Sequence, residues 1–267
     1  MPEASRQQDP SCFRRDIDKT NLHGVITEDS HKKSHCLDPL ENFLEQVHLR
    51  PEAIAAVMDG EHVTYLELNR RANRVSHWLQ RQGVGPEKIV GVCLNRSISL
   101  AVTLLGVIKA GGCLLPLEPS YPRDRLIYMV EDCHPVMIVT QEPYLKMFHN
   151  EAGVFDLKAL LPILAGESFV NPMPRLHEGN LRVIFYTSGS TGRPKGVMEI
   201  YHKDDPASAS DRKGESVRGP VLQVTSTDRM LVKCPMSFAP FLWELLSPLS
   251  AGGTAIFAAT GGEQDFS

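Results

Sequence analysis

The chain has 267 residues, enough to bury one large core or two modest ones. With 42% hydrophobic residues, 22% charged residues and a formal charge of -4, it has an ordinary globular composition and no electrostatic footprint for nucleic acid or an anionic membrane. The six cysteines (Cys12, Cys36, Cys93, Cys113, Cys133, Cys234) follow no C-x-x-C or metal-ligand spacing, so no metal ligand is expected among them. The first eight residues lack the apolar core of a secretory signal, and no apolar run approaches the ~18 residues of a membrane span. A cytoplasmic protein with reduced, buried thiols is expected.

Residues 1–36 are polar, unperiodic and mixed in charge, which predicts a disordered leader. Leu40, Phe43, Leu44 and Val47 then recur at helical spacing until Pro51. Ile54 to Val57 predicts a strand, with a turn at Asp59-Gly60 before Val63. Thr64-Tyr-Leu-Glu67 has the form of a capping box, the hydroxyl capping the turn and the carboxylate reaching back. Leu68, Ala72, Val75 and Leu79 line one face of the helix that follows, which ends near Gly83. Ile89 to Leu94 predicts a buried strand, and Ser99 to Lys109 a helix apolar on nearly all sides, stopped by Gly111-Gly112. A short strand follows at Leu114 to Leu117. Pro122 is expected at the first position of the next helix, with Leu126, Met129 and Val130 inward, and Val136 to Thr140 reads as another strand.

Residues 141–180 carry no regular pattern, and Leu181 to Tyr186 is an apolar run. Residues 199–222 are hydrophilic without an apolar period, which predicts a long loop or disordered insert. The pattern resumes with Met230 to Cys234, a helix around Phe241 to Leu249 and a strand at Thr254 to Ala259. Strands alternating with helices predict an α/β domain with a largely parallel sheet.

The densest chemical signal is Phe185 to Val197, FYTSGSTGRPKGV, read as a loop following a strand. Gly189 and Gly192 permit close backbone approach, so that amide N–H groups can face a polyphosphate. Thr187, Ser188, Ser190 and Thr191 add hydroxyl donors, and Lys195 adds a positive charge. It is not the nucleotide P-loop, because Gly196 rather than Ser or Thr follows the lysine, and the glycine spacing is not G-x-G-x-x-G. Composition alone leaves a phosphate cradle and a mobile polar connection equally open.

Tyr186 to Gly196 resembles the signature of the adenylate-forming (AMP-binding) superfamily, Tyr-Thr-Ser-Gly-(Ser/Thr)-Thr-Gly-x-Pro-Lys-Gly, at every defined position. Three further segments are similar to family motifs and stand in family order: Val63 to Leu68, Ile108 to Pro119 (IKAGGCLLPLEP) continued by Ser120-Tyr-Pro122 in the manner of non-ribosomal peptide synthetases, and Met236 to Glu244 (MSFAPFLWE). The resemblance covers roughly residues 37–198 and 223–260.

It implies an incomplete large N-terminal domain of an adenylate-forming enzyme: α/β, with parallel-rich sheets, flanking helices and no small C-terminal domain. The implied reaction is attack of a small-molecule carboxylic acid on the α-phosphate of ATP, with Mg2+, giving an acyl-adenylate and pyrophosphate. A phosphopantetheine carrier protein or CoA would then accept the acyl group. In that setting Thr187 to Gly192 would grip the phosphates and Lys195 would neutralise the leaving pyrophosphate.

Three departures shape the expectation. The family's later motifs for adenine, magnesium and ribose, and its catalytic C-terminal lysine, are absent, so weak or no adenylation is expected from the chain alone. Hydrophilic residues 199–222 stand where the family has a His and an apolar helix, and His202 is one residue out of step. Ala239 stands where amino-acid-activating relatives place the Asp that pairs with the substrate ammonium. Either the acid lacks an α-ammonium or the Asp was lost by drift; Phe238, Ala239 and Trp243 are the candidate acyl pocket. The alternative function is a non-catalytic truncated paralogue that binds a nucleotide or a partner.

Overall fold

The computed structural model describes residues 39–148, 153–173, 175–187, 193–201 and 224–258. The expected leader at 1–36 and most of the expected insert, 202–222, lie outside the described residues.

The first helix, α1 (Pro39–Leu49), leads into a hairpin of β1 (Ile54–Met58) and β2 (Glu61–Thr64). Its two turn residues, Asp59 and Gly60, both have positive φ (47° and 81°), as a twist-matched two-residue turn requires. Helix α2 (Tyr65–Arg81) follows at once. The Thr64 hydroxyl accepts the Glu67 N–H at 3.2 Å, but only half of the expected capping box forms. The Glu67 carboxylate turns instead to Arg71 one helical turn on, accepting its Nε–H at 2.8 Å.

Then come β3 (Ile89–Cys93), α3 (Ile98–Ala110), β4 (Cys113–Pro116), α4 (Arg123–Cys133) and β5 (Met137–Thr140). Helix α3 starts one residue before the expected Ser99 and is capped by Ser97, which accepts the Leu100 N–H at 3.0 Å. Every residue of α3 but Ser99 is buried, which explains its apolar circumference: β-strands lie on one side and α2 on the other. Gly106 makes that helix pair close, since a Cβ there would sit 2.5 Å from Val75 Cγ1. Lys109, 4% exposed, donates to Asn171 Oδ1 at 3.3 Å and stands 5.9 Å above the Phe43 ring. Pro122 proves to be the N-cap of α4 rather than its first residue. It still starts the helix, because Arg125 and Leu126 donate to its carbonyl.

Residues 141–180 are more ordered than their pattern suggests. They hold a 3₁₀ turn (Tyr144–Phe148), the three-residue strand β6 (Val154–Asp156) and helix α5 (Leu157–Ala165), capped by Asp156. The sequence hides α5 because Pro162 lies inside it and only Leu160 and Leu164 are buried. The remaining elements are β7 (Leu181–Thr187), β8 (Lys195–Ile200), β9 (Arg229–Val232), α6 (Ala239–Ala251) and β10 (Thr254–Phe257).

Two sheets result. Four strands run in the order β2-β1-β10-β9, with β1, β10 and β9 parallel. Six run in the order β6-β5-β3-β4-β7-β8, parallel except for β8, which pairs antiparallel with β7 at the edge. The six-stranded sheet is covered on both faces. Val90, Val92, Leu114, Val183 and Phe185 belong to the core shared with α2 and α3, while Cys93, Leu115, Ile138, Ile184 and Tyr186 pack with Leu126, Met129 and Val130 of α4.

Candidate functional site

In doubly covered parallel sheets, ligands bind beyond the carboxyl ends of the strands, where neighbouring connections leave in opposite directions. Here β4 and β5 flank β3 on opposite sides, so β3 and β4 part their connections at such a point. A narrow recess of about 30 Å3 lies there, lined by Leu94, Asn95, Arg96, Leu100, Glu118, Pro119 and Met236. A larger cleft of about 230 Å3, lined by His77, Gln80, Arg81, Glu167, Ser168 and Arg175, lies along α2 and carries none of the motif residues.

The signature segment occupies the end of β7, the strand next to β4. It is a hairpin rather than a loop throughout: Thr187 pairs with Lys195, Tyr186 with Gly196 and Phe185 with Val197. Lys195 therefore stands on a strand, and Glu199 and Ile200, the first residues of the expected hydrophilic insert, continue it. The sequence reads as loop because β8 is a bare edge whose residues are exposed from Lys195 to Glu199, so it needs no buried alternation. Thr187 and Lys195 face each other at the base of the connection, both exposed. Ser188, Gly189, Ser190, Thr191 and Gly192 lie outside the described residues.

Behind this base, Tyr186 is buried and its phenol donates to Asp132 Oδ2 at 2.5 Å, with Cys133 Sγ at 3.1 Å. Burial, then the hydrogen bond to Asp132, pushes the phenol far above its usual range, so it stays protonated and a donor.

Two other motif segments close on each other. Glu118, just past β4, accepts the Met236 N–H at 2.9 Å and the Ser120 hydroxyl at 3.2 Å. Ser237 donates to the Tyr121 hydroxyl at 2.7 Å. The segment before α6 is thereby tied to the carboxyl end of β4. Glu244, on the buried face of α6, accepts the N–H groups of Lys233 and Cys234 at 2.8 Å each, and the Cys234 thiol at 3.0 Å. Burial, then Glu244, pushes that thiol up to about 11. Cys93 and Cys113 are pushed up to about 12, chiefly by burial, as inert core thiols. Glu118 and Glu244 fall within the motif segments Ile108 to Pro119 and Met236 to Glu244, but that they hold backbone groups 118 and 10 residues away is a property of the fold.

The acyl-pocket candidates sit at the start of α6. Phe238 is its N-cap, Ala239 its first residue and Trp243 one turn on. Phe238 is 59% and Trp243 46% exposed, so Trp243 is not the core aromatic that an apolar helix suggests. Phe241 and Leu245 fill the core instead. Ala239 is exposed as well. Thr187 and Lys195 on the one hand, and Phe238, Ala239 and Trp243 on the other, thus stand on different elements, joined through β4 and Glu118.

The family described as AMP-binding enzyme matches residues 43–266. The chain belongs to the AMP-binding enzyme family. Gramicidin S synthase 2 of Brevibacillus brevis is 37% identical over 212 residues, which cover 79% of this chain and 4% of that protein. Among solved structures, the non-ribosomal peptide synthetase FmoA3 in its α-methyl-L-serine-AMP-bound form matches with a TM-score of 0.68 and 25% identity, over 82% of this chain and 23% of that one. The N-terminal domain of FACL13 from Mycobacterium tuberculosis matches in fold, with a TM-score of 0.71 at 19% identity, over 83% of this chain and 57% of that one. The chain thus spans a small part of the large synthase that it matches, and its α/β fold with parallel-rich sheets is that of part of the N-terminal domain of such enzymes. In this member of the family no described residues gather three or more His, Cys, Asp or Glu groups fit for a metal ion. No helix among them is long and apolar enough to cross a membrane.

Proposed function

We propose that the chain is the phosphate-holding part of an ATP-dependent ligase that adenylates a carboxylic acid, amino, aryl or other. The observation that carries this reading is the Thr187–Lys195 pair at the base of the signature hairpin, exposed at the carboxyl end of a parallel strand. An ammonium and a hydroxyl held on paired strands suit a polyphosphate by charge and by rigidity. Ser188 to Gly192 would complete the grip. The similarity to FmoA3, whose structures include an AMPPNP-bound form (TM-score 0.68, 24% identity), supports ATP as the nucleotide.

In this reading the acid's carboxylate oxygen bonds to the α-phosphorus and the bond to pyrophosphate breaks. Lys195 neutralises charge on the departing pyrophosphate, and the protein contributes position and field rather than a covalent bond. Phe238, Ala239 and Trp243 would face the acyl group. Ala239 offers no partner to an ammonium there. A phosphopantetheine carrier protein or CoA would take the acyl group as a thioester. Mg2+ is commonly held by one or two carboxylates together with phosphates and water, and no step is assigned to it here.

A non-catalytic nucleotide- or partner-binding role is the second reading, supported because an exposed hydroxyl and ammonium paired at the base of the hairpin suit a nucleotide's phosphates without any chemical step. ATP–pyrophosphate exchange with a panel of carboxylic acids separates the two. Acid-dependent exchange supports the ligase. ATP binding that is weakened by Lys195→Ala, without exchange, supports the binding role. Absence of both refutes the phosphate-site reading.

A further inference from the structure

We propose that Asp132 is a positioning residue: through the Tyr186 phenol it fixes the base of the β7–β8 hairpin on which Thr187 and Lys195 stand. Asp132 lies outside every motif, in the last turn of α4. A carboxylate there faces the negative end of its own helix, a disfavoured place unless something compensates it. The compensation is the Tyr186 hydroxyl, which donates to Oδ2 at 2.5 Å. The Cys133 thiol, 3.1 Å from the phenol oxygen, can donate to it, so the phenol both gives and takes a hydrogen bond. The Tyr128 ring meets the Tyr186 ring edge-on at 6.4 Å and 83°, fixing its plane.

The ring in turn supports the outer strand. Gly196 lies opposite Tyr186 in the ladder, and a Cβ there would come within 3.3 Å of Tyr186 Cζ and of Ile184 Cγ2. The glycine after Lys195 is thus where β8 lies down on the tyrosine. Among the described residues, β8 pairs with no strand but β7. It is an edge strand, exposed from Lys195 to Glu199, with Val197 52% and Met198 40% exposed. Its far end is fixed separately, where Tyr201 is buried and exchanges backbone hydrogen bonds with Gly179 and Asn180. The near end, which presents Lys195, depends on the β7 ladder and on the anchored Tyr186 ring beneath Gly196. The first and last residues of the signature, Tyr186 and Gly196, are one packing unit whose anchor lies on α4.

The consequence for binding rests on the phosphate-site reading, so the test has two arms. In the first, ATP and inorganic tripolyphosphate are titrated calorimetrically into the full chain and into Asp132→Ala, Asp132→Asn, Tyr186→Phe and the Ala/Phe double variant, each with its melting temperature. Asp132→Ala and Tyr186→Phe are each expected to weaken binding about tenfold, the scale of one charge-assisted hydrogen bond. The double variant should be no weaker than either single one, because both remove the same contact. Asp132→Asn keeps an acceptor oxygen and should recover most of the affinity. In the second arm, amide exchange is followed in 195–200 and, as a control, in β3 and β4. Faster exchange confined to 195–200 in Asp132→Ala and Tyr186→Phe, restored in Asp132→Asn, is expected.

Additive losses in the double variant, unchanged affinity in well-folded single variants, or acceleration spread evenly over the sheet would each overturn the proposal. If the unaltered chain binds neither ligand, the phosphate-site reading fails by itself, and the exchange pattern alone decides the role of Asp132. Tyr186→Phe keeps the ring packing and serves if Asp132→Ala does not fold.

Discussion

Replacing Lys109 with Met is expected to stabilise the chain and to flatten its stability against pH. Lys109 is buried against Asn171 and the Phe43 face, with no carboxylate paired to it among the described residues, and burial lowers its ammonium from the ordinary 10.5 to about 7. In the unfolded chain the same group stays protonated up to its ordinary value. Between pH 7 and 10.5 the unfolded state therefore binds more protons than the folded one, and stability rises with pH by up to ~1.4 kcal/mol per unit. Below pH 7 both states are protonated and the contribution is flat. Summed over the shift, keeping lysine here costs about 4 kcal/mol at neutral pH, reduced by about 1 kcal/mol for the hydrogen bond to Asn171. Met has a similar length and no charge. Urea unfolding of both proteins at pH 7, 8, 9 and 10 measures the difference, and groups common to both cancel. Lys109→Met should be more stable by ~2–4 kcal/mol at pH 7, with the gap closing towards pH 10. Parallel pH profiles for the two proteins would refute the reasoning, because they would mean that the lysine binds the same number of protons folded and unfolded.

Further outcomes follow from single contacts. Gly106→Ala places a methyl on Val75 and should lower stability by ~1–3 kcal/mol in urea melts, the cost of overpacking. Glu244→Ala strands the N–H groups of Lys233 and Cys234 and should lower stability by ~2 kcal/mol, with Glu244→Gln losing less because it keeps an acceptor oxygen. Tyr65→Phe removes the hydroxyl that donates to the Gly253 carbonyl at 2.7 Å, a loss of ~1 kcal/mol by the same measurement. Ala239→Asp should shift acid binding or exchange towards substrates carrying an α-ammonium; an unchanged preference would remove Ala239 from the acyl pocket.

The elements legible from sequence were those whose burial leaves a period or an unbroken apolar run. Helix α3 shows itself because all its sides are covered, and β3 and β4 because both their faces are. Helix α5 was hidden because its inward residues are only Leu160 and Leu164, while Leu161 and Ile163 are exposed and Pro162 imitates a break. Strand β8 was hidden for the opposite reason: an edge strand open to solvent has no need to alternate, and Pro194 and Gly196 look like turn residues. The site divides in the same way. Lys195 and Thr187 could be named from the motif, but that they face each other is a property of the ladder. The Asp132–Tyr186 and Glu118–Met236 contacts join side chains and backbone 54 and 118 residues apart, and nothing local encodes either partner's choice.

Those two long-range contacts explain why the motifs must come together on one scaffold. Strand β4 is the common neighbour: β7 pairs with it on one side, and Glu118 at its end takes hold of the segment before α6. Tyr121, three residues on, holds Ser237 and carries the Arg125 guanidinium 3.8 Å above its ring, so the grip has support from α4. Helix α4 therefore touches both halves, through Arg125 near its start and Asp132 near its end. A shift of α4 would move the β7–β8 hairpin and the start of α6 together. In the proposed ligase, rigid placement of two reactants would use that coupling, and α4, which carries no signature residue, is the element whose position both segments share.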